Sequence, residues 1–208
     1  MSRTFVIAGT DTGVGKTCFS AALVGALGAS YWKPVQSGLE DETDSQIVAR
    51  LSGVAPDHIL PEAWRLKLPA SPHISARAEG IEIDPDRLVP PDVEGPLVIE
   101  TAGGVMVPLA DDVLTVDVLA RWRLPVVLVA RTALGTINHS LLTIEALRRR
   151  DIPLHGVAFV GDEEKGPQET ILRMGAVRGL GRLPRLEPLT RETLRAAFDA
   201  AFAVEDFI

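Results

Sequence analysis

The segment GTDTGVGKTCF, residues 9–19, constrains the fold of this chain more than any other feature, because it directly follows the apolar run FVIA (5–8). A strand, a glycine-rich turn and a GKT triplet opening a helix form the arrangement in which backbone N–H groups bind polyphosphate. A strict G-x-x-x-x-G-K-T pattern requires glycine at position 10, where Thr10 stands, so the loop is an atypical phosphate loop. The loop residues expected to contact a nucleotide are Thr12, Gly13, Val14, Gly15, Lys16, Thr17 and Cys18.

Nucleotide chemistry assigns roles to two of these residues. Lys16 would neutralise the terminal phosphates, and Thr17 would direct its hydroxyl to the magnesium ion that bridges them. A magnesium site needs further oxygen ligands, and the run LVIE (97–100) ends in an acid, Glu100, at the predicted carboxyl end of a buried strand. Ligands of open α/β sheets gather at that edge. Glu100 is therefore either a ligand of the magnesium–nucleotide site or a turn acid facing water.

Two further residues, Asp44 and Lys33, each allow two interpretations. In DETDSQIV, Asp44 either caps the helix that follows or supplies a carboxylate to the site. Lys33 follows SYW (30–32) at the same sheet edge as Lys16. It is either a solvated lysine or an ammonium that stabilises anionic intermediates. The residues alone leave both questions open.

Short apolar runs recur at intervals wide enough to hold helices between them. Continuous rather than alternating apolarity indicates strands buried on both faces, as in a parallel sheet covered by helices. The predicted strands are 5–8, 30–32, 97–100, 125–130 and 156–160. The predicted helices are 16–27, about 44–52, about 113–122, about 138–150, about 167–175 and 191–203. The fold class is α/β, with one doubly wound, mostly parallel sheet flanked by helices.

Two segments outside the predicted sheet refine this picture. The proline-rich stretch from about 53 to 95 shows few regular periods and predicts a long irregular excursion over the sheet surface, a feature that is usually functional in compact domains. Thr190 has the position of a helix cap, so the last helix should begin near Arg191. No repeat or linker divides the chain, and we expect a single domain over residues 1–208.

Charge and composition exclude several classes of function. The net charge is −7, and the only basic run, residues 148–150, is placed where it complements a helix dipole. We therefore expect no nucleic-acid partner. No signal peptide and no membrane-spanning run is visible, which predicts a cytoplasmic protein without membrane contact. A single cysteine, Cys18, excludes an internal disulfide and is expected to fill space rather than catalyse.

Taken together and in order, several segments resemble the dethiobiotin synthetases, the ATPases of biotin synthesis. The matching segments are GTDTGVGKT (9–17), KPVQSG (33–38), the acidic segment with Asp44, SPHISA (71–76), ETAGG (100–104) and LGTINHSLLT (134–143), with GRLPRL (181–186) as a weaker match. The resemblance implies a homodimer, ATP and Mg²⁺ as cofactors, and 7,8-diaminopelargonic acid and CO₂ as substrates. It also implies that an amine of the substrate becomes a carbamate, which attacks the γ-phosphoryl group before the second amine closes the ring.

The resemblance also implies roles for particular residues. Thr17, Asp44 and Glu100 would hold Mg²⁺, and Lys33, Lys16 and Ser37 would act in catalysis, with Lys33 and Ser37 contacting the carbamate and the amines. Gly135, Thr136, Ile137 and Asn138 lie where a strand end is predicted to turn into a helix, and free N–H groups there would bind the distant carboxylate of the substrate. In the family that carboxylate is held by the partner subunit, so the substrate site would lie at the subunit interface.

Two segments depart from the family pattern. Where other members often carry an asparagine that reads adenine, this chain has Phe159-Val160-Gly161-Asp162, so the nucleotide preference is expected to be relaxed. Thr101 follows Glu100 in place of the more familiar glycine and is expected to perturb the local loop without removing the acid.

Two other functions fit the sequence less well. A partner-regulated ATPase switch of the chromosome-partitioning type would carry a second lysine early in the loop, where this chain has Asp11. An amide synthase of the same fold would append a glutamine-hydrolysing domain with a catalytic cysteine, for which a chain of 208 residues with one cysteine has no room.

Overall fold

The computed structural model describes residues 3–208, in which strands and helices alternate along most of the chain. The strands are β1 (Thr4–Gly9), β2 (Ser30–Trp32), β3 (Val35–Ser37), β4 (Ile59–Leu60), β5 (Trp64–Leu66), β6 (Leu97–Gly104), β7 (Val126–Arg131), β8 (Leu154–Val160) and β9 (Gly179–Leu183). The helices are α1 (Lys16–Leu27), α2 (Asp44–Ser52), α3 (Pro72–Ala78), α4 (Thr115–Trp122), α5 (Thr136–Arg148), α6 (Lys165–Met174) and α7 (Arg191–Ala201).

Seven of these strands form one parallel sheet in the order β4-β2-β6-β1-β7-β8-β9. The chain therefore builds one side of the sheet, returns to the strand beside β1 and then builds the other side, which is the doubly wound arrangement that the apolar runs predicted. The carboxyl ends of β1, β2 and β6 are neighbours, and in such sheets this is the edge at which ligands bind.

Apolar side chains cover both faces of the sheet. Along β1, Phe5 and Ile7 belong to the buried cluster that includes residues of α1 and α7. Val6 and Ala8 belong to a second cluster, which includes residues of α4. Because successive side chains of a strand point to opposite faces, a strand buried on both faces must be continuously apolar. This requirement explains the run FVIA.

Local caps set several helix boundaries. Helix α1 begins after Gly15 and ends before Gly28, both with left-handed backbone conformations. Thr190 caps α7 by accepting a hydrogen bond from the backbone N–H of Thr193, so the predicted start at Arg191 is confirmed. Thr43, not Asp44, caps α2. The interpretation of Asp44 as the cap was therefore wrong, and its carboxylate is free for another role.

The prediction of an irregular excursion over residues 53–95 was only partly correct. This stretch contains β4, β5 and α3, and β5 pairs with β3 in a separate two-stranded parallel sheet. Strands of two or three residues are too short to produce a hydrophobic period, so β4 and β5 leave no recognisable pattern in the sequence. Strand β9 was missed for a related reason, since GLGRL alternates glycine with other residue types.

Candidate active site

The predicted nucleotide residues meet at the carboxyl edge of β1, β2 and β6, around a cavity of about 630 Å³. Its walls come from the phosphate loop, from the segment after β2 and from the SPHISA segment. The residues that line it are Thr12, Gly13, Gly15, Lys16, Thr17, Cys18, Lys33, Gln36, Ser37, Asp44, Pro69, Ala70, Ser71, Pro72, Glu100, Ala102, Gly103 and Val107. Val14 belongs to the hydrophobic core, so only its backbone is available to a nucleotide.

Glycines shape the phosphate loop. Gly13 and Gly15 have φ angles of 70° and 99°, which side chains other than glycine rarely adopt. A Cβ at Gly9 would lie 2.8 Å from the Lys16 ammonium, so this position excludes side chains for a second reason. The same Cβ would lie 2.9 Å from the backbone carbonyl oxygen of Asp11, so Gly9, one residue before the glycine position of the strict motif, has no room for a side chain. The backbone N–H of Thr10 donates to the carbonyl of Val129 at 3.1 Å.

The Lys16 ammonium folds back over the loop. It donates to the carbonyl oxygen of Asp11 at 3.0 Å, and the side chain is almost completely buried. The pKa of Lys16 is lowered to about 8, mainly by burial and also by the nearby ammonium of Lys33, against the opposing effect of the carboxylates of Glu100 and Asp44. A bound polyphosphate would raise the pKa of Lys16 again, because it supplies negative charge beside an ammonium that burial has removed from water.

Lys33 is the centre of a buried charge cluster. Its ammonium lies 2.6 Å from Asp44 Oδ2 and 3.1 Å from Glu100 Oε1, and it also donates to the carbonyl of Thr101 at 3.2 Å. Burial lowers the pKa of Lys33, but the carboxylates of Glu100 and Asp44 outweigh burial, so the pKa is raised above its usual value. The interpretation of Lys33 as an ordinary solvated lysine was therefore wrong.

Asp44 and Glu100 face each other across Thr17. The Thr17 hydroxyl lies 2.8 Å from Asp44 Oδ1 and 3.0 Å from Glu100 Oε1. Burial raises the pKa of Asp44, but Lys33 overcomes this effect, and the net pKa is below the usual value. Both acids thus lie in the cavity wall, and Glu100, with 1% of its side chain exposed, is not a turn acid facing water.

This donor set suits Mg²⁺ better than a transition metal. It consists of two carboxylates and a hydroxyl, all hard oxygen ligands, and residues 3–208 hold no group of three or more His, Cys, Asp and Glu side chains arranged for a metal. Magnesium usually binds through one or two carboxylates, with substrate phosphates and water completing an octahedron. Thr17, Asp44 and Glu100 therefore fit the ion that the phosphate loop implies.

Strand β6 continues past Glu100 to Gly104, so the prediction that Glu100 ends its strand was wrong. The parallel register with β1 nevertheless breaks directly after it, because Ile7 pairs with Glu100 whereas Gly9 pairs with Gly104. Thr101 lies in this irregularity, where its hydroxyl donates to the carbonyl of Ile7 at 3.4 Å. The break turns the residues after Glu100 toward the phosphate loop and into the cavity wall.

Three residues have environments that the sequence did not reveal. Gln36 accepts a hydrogen bond from the backbone N–H of Asp44 at 3.2 Å, and the hydroxyl of Tyr31 donates to Glu100 Oε2 at 3.1 Å. Cys18, which was expected to contact the nucleotide and to fill space, lines the cavity but is only half-buried. Burial and the charge of Glu100 raise the pKa of its thiol, which disfavours a reactive thiolate. For the contact of Tyr31 with Glu100, the only sequence signal was a tyrosine two residues before Lys33.

Gly135, Thr136, Ile137 and Asn138 lie apart from this cavity. Gly135 precedes α5, whose first residue is Thr136, and none of the four lines the cavity of its own chain. The neighbouring Leu134 is fully exposed. The structure of one chain therefore brings together the predicted nucleotide and metal residues but leaves this helix terminus outside.

The segment Phe159-Val160-Gly161-Asp162, which stands where other members are expected to read adenine, lies behind the phosphate loop. A Cβ at Gly15 would lie 2.6 Å from Val160 Cγ1, so β8 packs directly on the loop. The carbonyl of Gly161 accepts a hydrogen bond from Arg182 at 2.8 Å, and Asp162 is mostly exposed. None of the four residues 159–162 carries an amide side chain.

None of the helices within residues 3–208 is both long and apolar enough to cross a membrane.

The chain is similar to known proteins over its full length. A family model described as an AAA domain matches residues 3–193. The ATP-dependent dethiobiotin synthetase BioD of Agrobacterium fabrum is 62% identical over 208 residues, which are 100% of this chain and 98% of that protein. The protein of the same name from Rhodopseudomonas palustris strain TIE-1 is 61% identical over 208 residues with the same coverage, and that of Brucella ovis is 57% identical over 207 residues.

Solved structures with the same fold are more distant in sequence. A ParA family ATPase from Chlorobium tepidum has a TM-score of 0.54 and 14% identity and covers 96% of this chain and 91% of its own. The MinC:MinD cell division complex of Aquifex aeolicus has a TM-score of 0.54 and 16% identity, covering 94% and 86%. These likenesses concern the fold alone. The family follows instead from the full-length sequence relatives, and the chain belongs to the ATP-dependent dethiobiotin synthetases.

Proposed function

We propose that this chain catalyses the ATP-dependent conversion of 7,8-diaminopelargonic acid and CO₂ to dethiobiotin, with release of ADP and phosphate. The observation that carries the proposal is the placement of the Lys33 ammonium, 2.6 Å from Asp44 and 3.1 Å from Glu100, in the wall that it shares with the phosphate loop. A buried cation at this edge of the cavity suits a carbamate, an anion that must approach the γ-phosphoryl group.

The reaction divides into three steps that need charge and position rather than a nucleophilic side chain. An amine of the substrate adds to CO₂ and loses a proton, giving a carbamate. A carbamate oxygen then attacks the γ-phosphorus of ATP, the bond to the β-phosphate oxygen breaks and ADP leaves. Finally the second amine attacks the carbonyl carbon of the mixed anhydride, and phosphate leaves as the urea ring closes. Phosphoryl transfer of this kind is catalysed mainly by positioning and electrostatic stabilisation.

The proposed roles of the residues follow from their contacts. Lys16, held at the loop, neutralises the terminal phosphates, and Lys33 stabilises the carbamate and the charge that develops during transfer. The hydroxyl of Ser37 is buried without a hydrogen-bond partner among the described residues, although Ser37 lines the cavity. A buried hydroxyl of this kind is costly unless a ligand satisfies it, which supports a contact with the substrate amines or carbamate.

We assign Thr17, Asp44 and Glu100 to Mg²⁺. Bound there with ATP, the ion would neutralise phosphate charge and orient the γ-phosphoryl group. The Thr17 hydroxyl lies within hydrogen-bond distance of both carboxylates, so oxygens of all three side chains meet in a small volume beside the loop.

The helix terminus formed by Gly135, Thr136, Ile137 and Asn138 belongs, in our proposal, to the site of a second subunit, where its free N–H groups bind the distant carboxylate of the substrate. Its position outside the cavity of its own chain supports this assignment. So do the exposed apolar side chains beside it, Leu134 at 100% and Leu142 at 59%. Apolar surface at this place suits the contact between two copies in a homodimer.

The test of the reaction is phosphate release by the purified protein with ATP, Mg²⁺ and bicarbonate, in the presence and absence of 7,8-diaminopelargonic acid. We expect release that depends on the diamine and equals the dethiobiotin measured by mass spectrometry. Lys33→Met should abolish both, whereas Lys67→Met, which changes an exposed lysine, should leave them intact. Hydrolysis that ignores the diamine and yields no product would disprove the proposal and favour the ATPase-switch function.

The shared site has its own test, which uses Lys33→Met and Asn138→Asp, since a carboxylate at the helix terminus should repel the carboxylate of the substrate and inactivate the site. If each site combines Lys33 of one chain with Asn138 of the other, a mixed dimer contains one intact site and one with both defects. Random mixing after dissociation should restore about a quarter of the parental activity. No restoration, in a mixture shown to contain heterodimers, would place both residues in the site of one chain.

Base preference is a further part of the proposal. Because Phe159-Val160-Gly161-Asp162 offers no amide where other members read adenine, we expect weak selection among nucleoside triphosphates. The values of kcat/KM for ATP, GTP, CTP and UTP test this, and a preference for ATP above about a hundredfold, the scale set by one well-used polar contact, would contradict it.

A further inference from the structure

We propose that Tyr31 is a positioning residue that fixes the orientation of the Glu100 carboxylate and thereby tunes the affinity of the site for Mg²⁺. The inference rests on the proposed role of Glu100 as a magnesium ligand. It concerns a residue that does not line the cavity and would act through the acid.

The two oxygens of Glu100 have different surroundings. Oε1 faces the cavity, 3.0 Å from the Thr17 hydroxyl and 3.1 Å from the Lys33 ammonium. Oε2 points away and accepts a hydrogen bond from the Tyr31 hydroxyl at 3.1 Å, its only hydrogen bond among the described residues. The carboxylate is therefore held at both oxygens, one toward the predicted metal position and one toward the core.

The anchoring group is itself rigid. Tyr31 is completely buried in the apolar cluster that includes residues of α1 and α2, and it lies on β2, which pairs with β6 beside Glu100. Because a carboxylate oxygen only accepts, the phenol O–H is the donor in this hydrogen bond. A fixed donor of this kind orients a metal-binding carboxylate in the way that outer hydrogen bonds orient other metal ligands.

Removing the hydroxyl would release one end of the carboxylate. In Tyr31→Phe the ring still fills the core, but Glu100 Oε2 becomes a buried acceptor without a partner. The carboxylate can then rotate and offer its oxygens to Lys33 and Thr17 in several arrangements. Because binding of Mg²⁺ would have to restore one arrangement, the affinity for the metal should fall, whereas contacts with the diamine should be little affected.

A matched control lies on the same strand. Trp32 is also buried, at 5% exposure, and its indole N–H donates to the carbonyl of Pro61 at 3.1 Å, but it belongs to the apolar cluster on the opposite face of the sheet. Trp32→Phe thus removes one aromatic hydrogen bond from β2 without touching Glu100. Any effect of general loosening of the strand appears in both variants.

The first experiment measures the Mg²⁺ concentration for half-maximal activity and, by calorimetry, the affinity for ADP with and without Mg²⁺. For Tyr31→Phe we expect Mg²⁺ affinity lower by about tenfold. The KM for the diamine should stay within about twofold, and Trp32→Phe should match the parent in its Mg²⁺ dependence. Equal Mg²⁺ dependence in the two variants would overturn the proposal and leave Tyr31 with a packing role.

Glu100→Gln separates this proposal from the one on which it rests. If Glu100→Gln weakens Mg²⁺ binding and Tyr31→Phe does not, only the inference about Tyr31 fails. If Glu100→Gln leaves the Mg²⁺ dependence unchanged, the assignment of Glu100 to the metal fails.

A second experiment needs no variant, because Tyr31 is the only tyrosine in the chain. Protein made with 3-fluorotyrosine carries a single ¹⁹F label beside Glu100. With ADP at saturation, addition of Mg²⁺ should shift this resonance, whereas ADP in EDTA should move it much less. A resonance that does not respond to Mg²⁺ while calorimetry shows that the ion binds would overturn the proposal, even if Tyr31→Phe failed to fold.

Discussion

Replacement of Lys33 by methionine should make the stability of this protein depend on Mg²⁺. Methionine keeps the length and the unbranched shape of the side chain, but it removes the one ammonium that lies within 3.1 Å of both Asp44 and Glu100. Glu100 has 1% of its side chain exposed and Asp44 has 27%, so the two carboxylates would remain close together with little access to water. Like charges in such surroundings repel strongly.

The size of the effect follows from the burial of the pair. Breaking a buried ion pair by removing one partner costs about 3–5 kcal/mol, and the partial exposure of Asp44 places this case near 3 kcal/mol. For a chain of this length that loss lowers Tm by roughly 10 °C. The folded-state pKa of Lys33 is raised, so its contribution is complete below the unfolded pKa and is lost as pH rises through the folded pKa. The folded-state pKa of Asp44 is lowered, so its contribution is complete above the unfolded pKa and is lost as pH falls through the folded pKa. Neutral pH lies between these two limits. The stabilities of Lys33→Met and of the parent can therefore be compared at neutral pH.

Magnesium should replace the missing charge. In Lys33→Met, Mg²⁺ at a hundred times its dissociation constant would restore about 2.7 kcal/mol. In the parent the gain should be smaller, because the ion must compete with the ammonium for the same oxygens. Thermal unfolding in EDTA, in MgCl₂ and in NaCl of equal ionic strength measures both effects and separates binding from screening.

Lys67→Met provides the control, since it removes the charge of an exposed lysine. The reasoning is refuted if Lys33→Met unfolds in EDTA at the same temperature as Lys67→Met. It is also refuted if NaCl raises Tm of Lys33→Met as much as MgCl₂ does.

Three further predictions concern the loop and the last helix. With the pKa of Lys16 at about 8, ATP should bind the ammonium form, so that binding at pH 8 is accompanied by uptake of about half a proton and the affinity for ATP falls as pH rises above 8. Calorimetry in buffers of different ionisation enthalpy measures the proton uptake, and proton release would contradict the prediction. Gly15→Ala should lower the affinity for ATP and the stability of the fold. The φ angle of 99° alone should cost about 1–3 kcal/mol, and the 2.6 Å approach of the new Cβ to Val160 should add to this. A variant with the parental Kd for ATP and the parental Tm would disprove this prediction. Thr190→Ala should lower the free energy of unfolding by about 1 kcal/mol in urea denaturation without changing kcat, and no change in stability would show that the cap is dispensable.

Local patterns were sufficient for the main architecture and for the phosphate loop. The strands of the sheet centre are continuously apolar because they are buried on both faces, and the positions of Gly15 and Thr190 set two helix starts. These features depend on contacts between near neighbours in sequence or on burial alone, so they can be predicted without knowledge of the fold. The paired strands β3 and β5 cannot be predicted in this way, because three-residue strands have no hydrophobic period of their own.

The roles of the charged residues needed long-range information. From the sequence, Asp44 was equally a helix cap and Lys33 equally a surface lysine. The structure places the Lys33 ammonium against Asp44 and against Glu100, a residue 67 positions further along the chain. No local rule predicts that contact, since it exists only because β2 and β6 are neighbours in the sheet.

The sequence by itself thus determined a parallel α/β sheet with a phosphate loop, because apolar periods, glycines and caps act over a few residues. Only the tertiary structure decided which acids, lysines and hydroxyls face one another, and it revealed the contact of Tyr31 with Glu100. The physical reason is that strand order in a doubly wound sheet brings distant segments to one edge, and hydrogen bonds and ion pairs act over only a few ångströms.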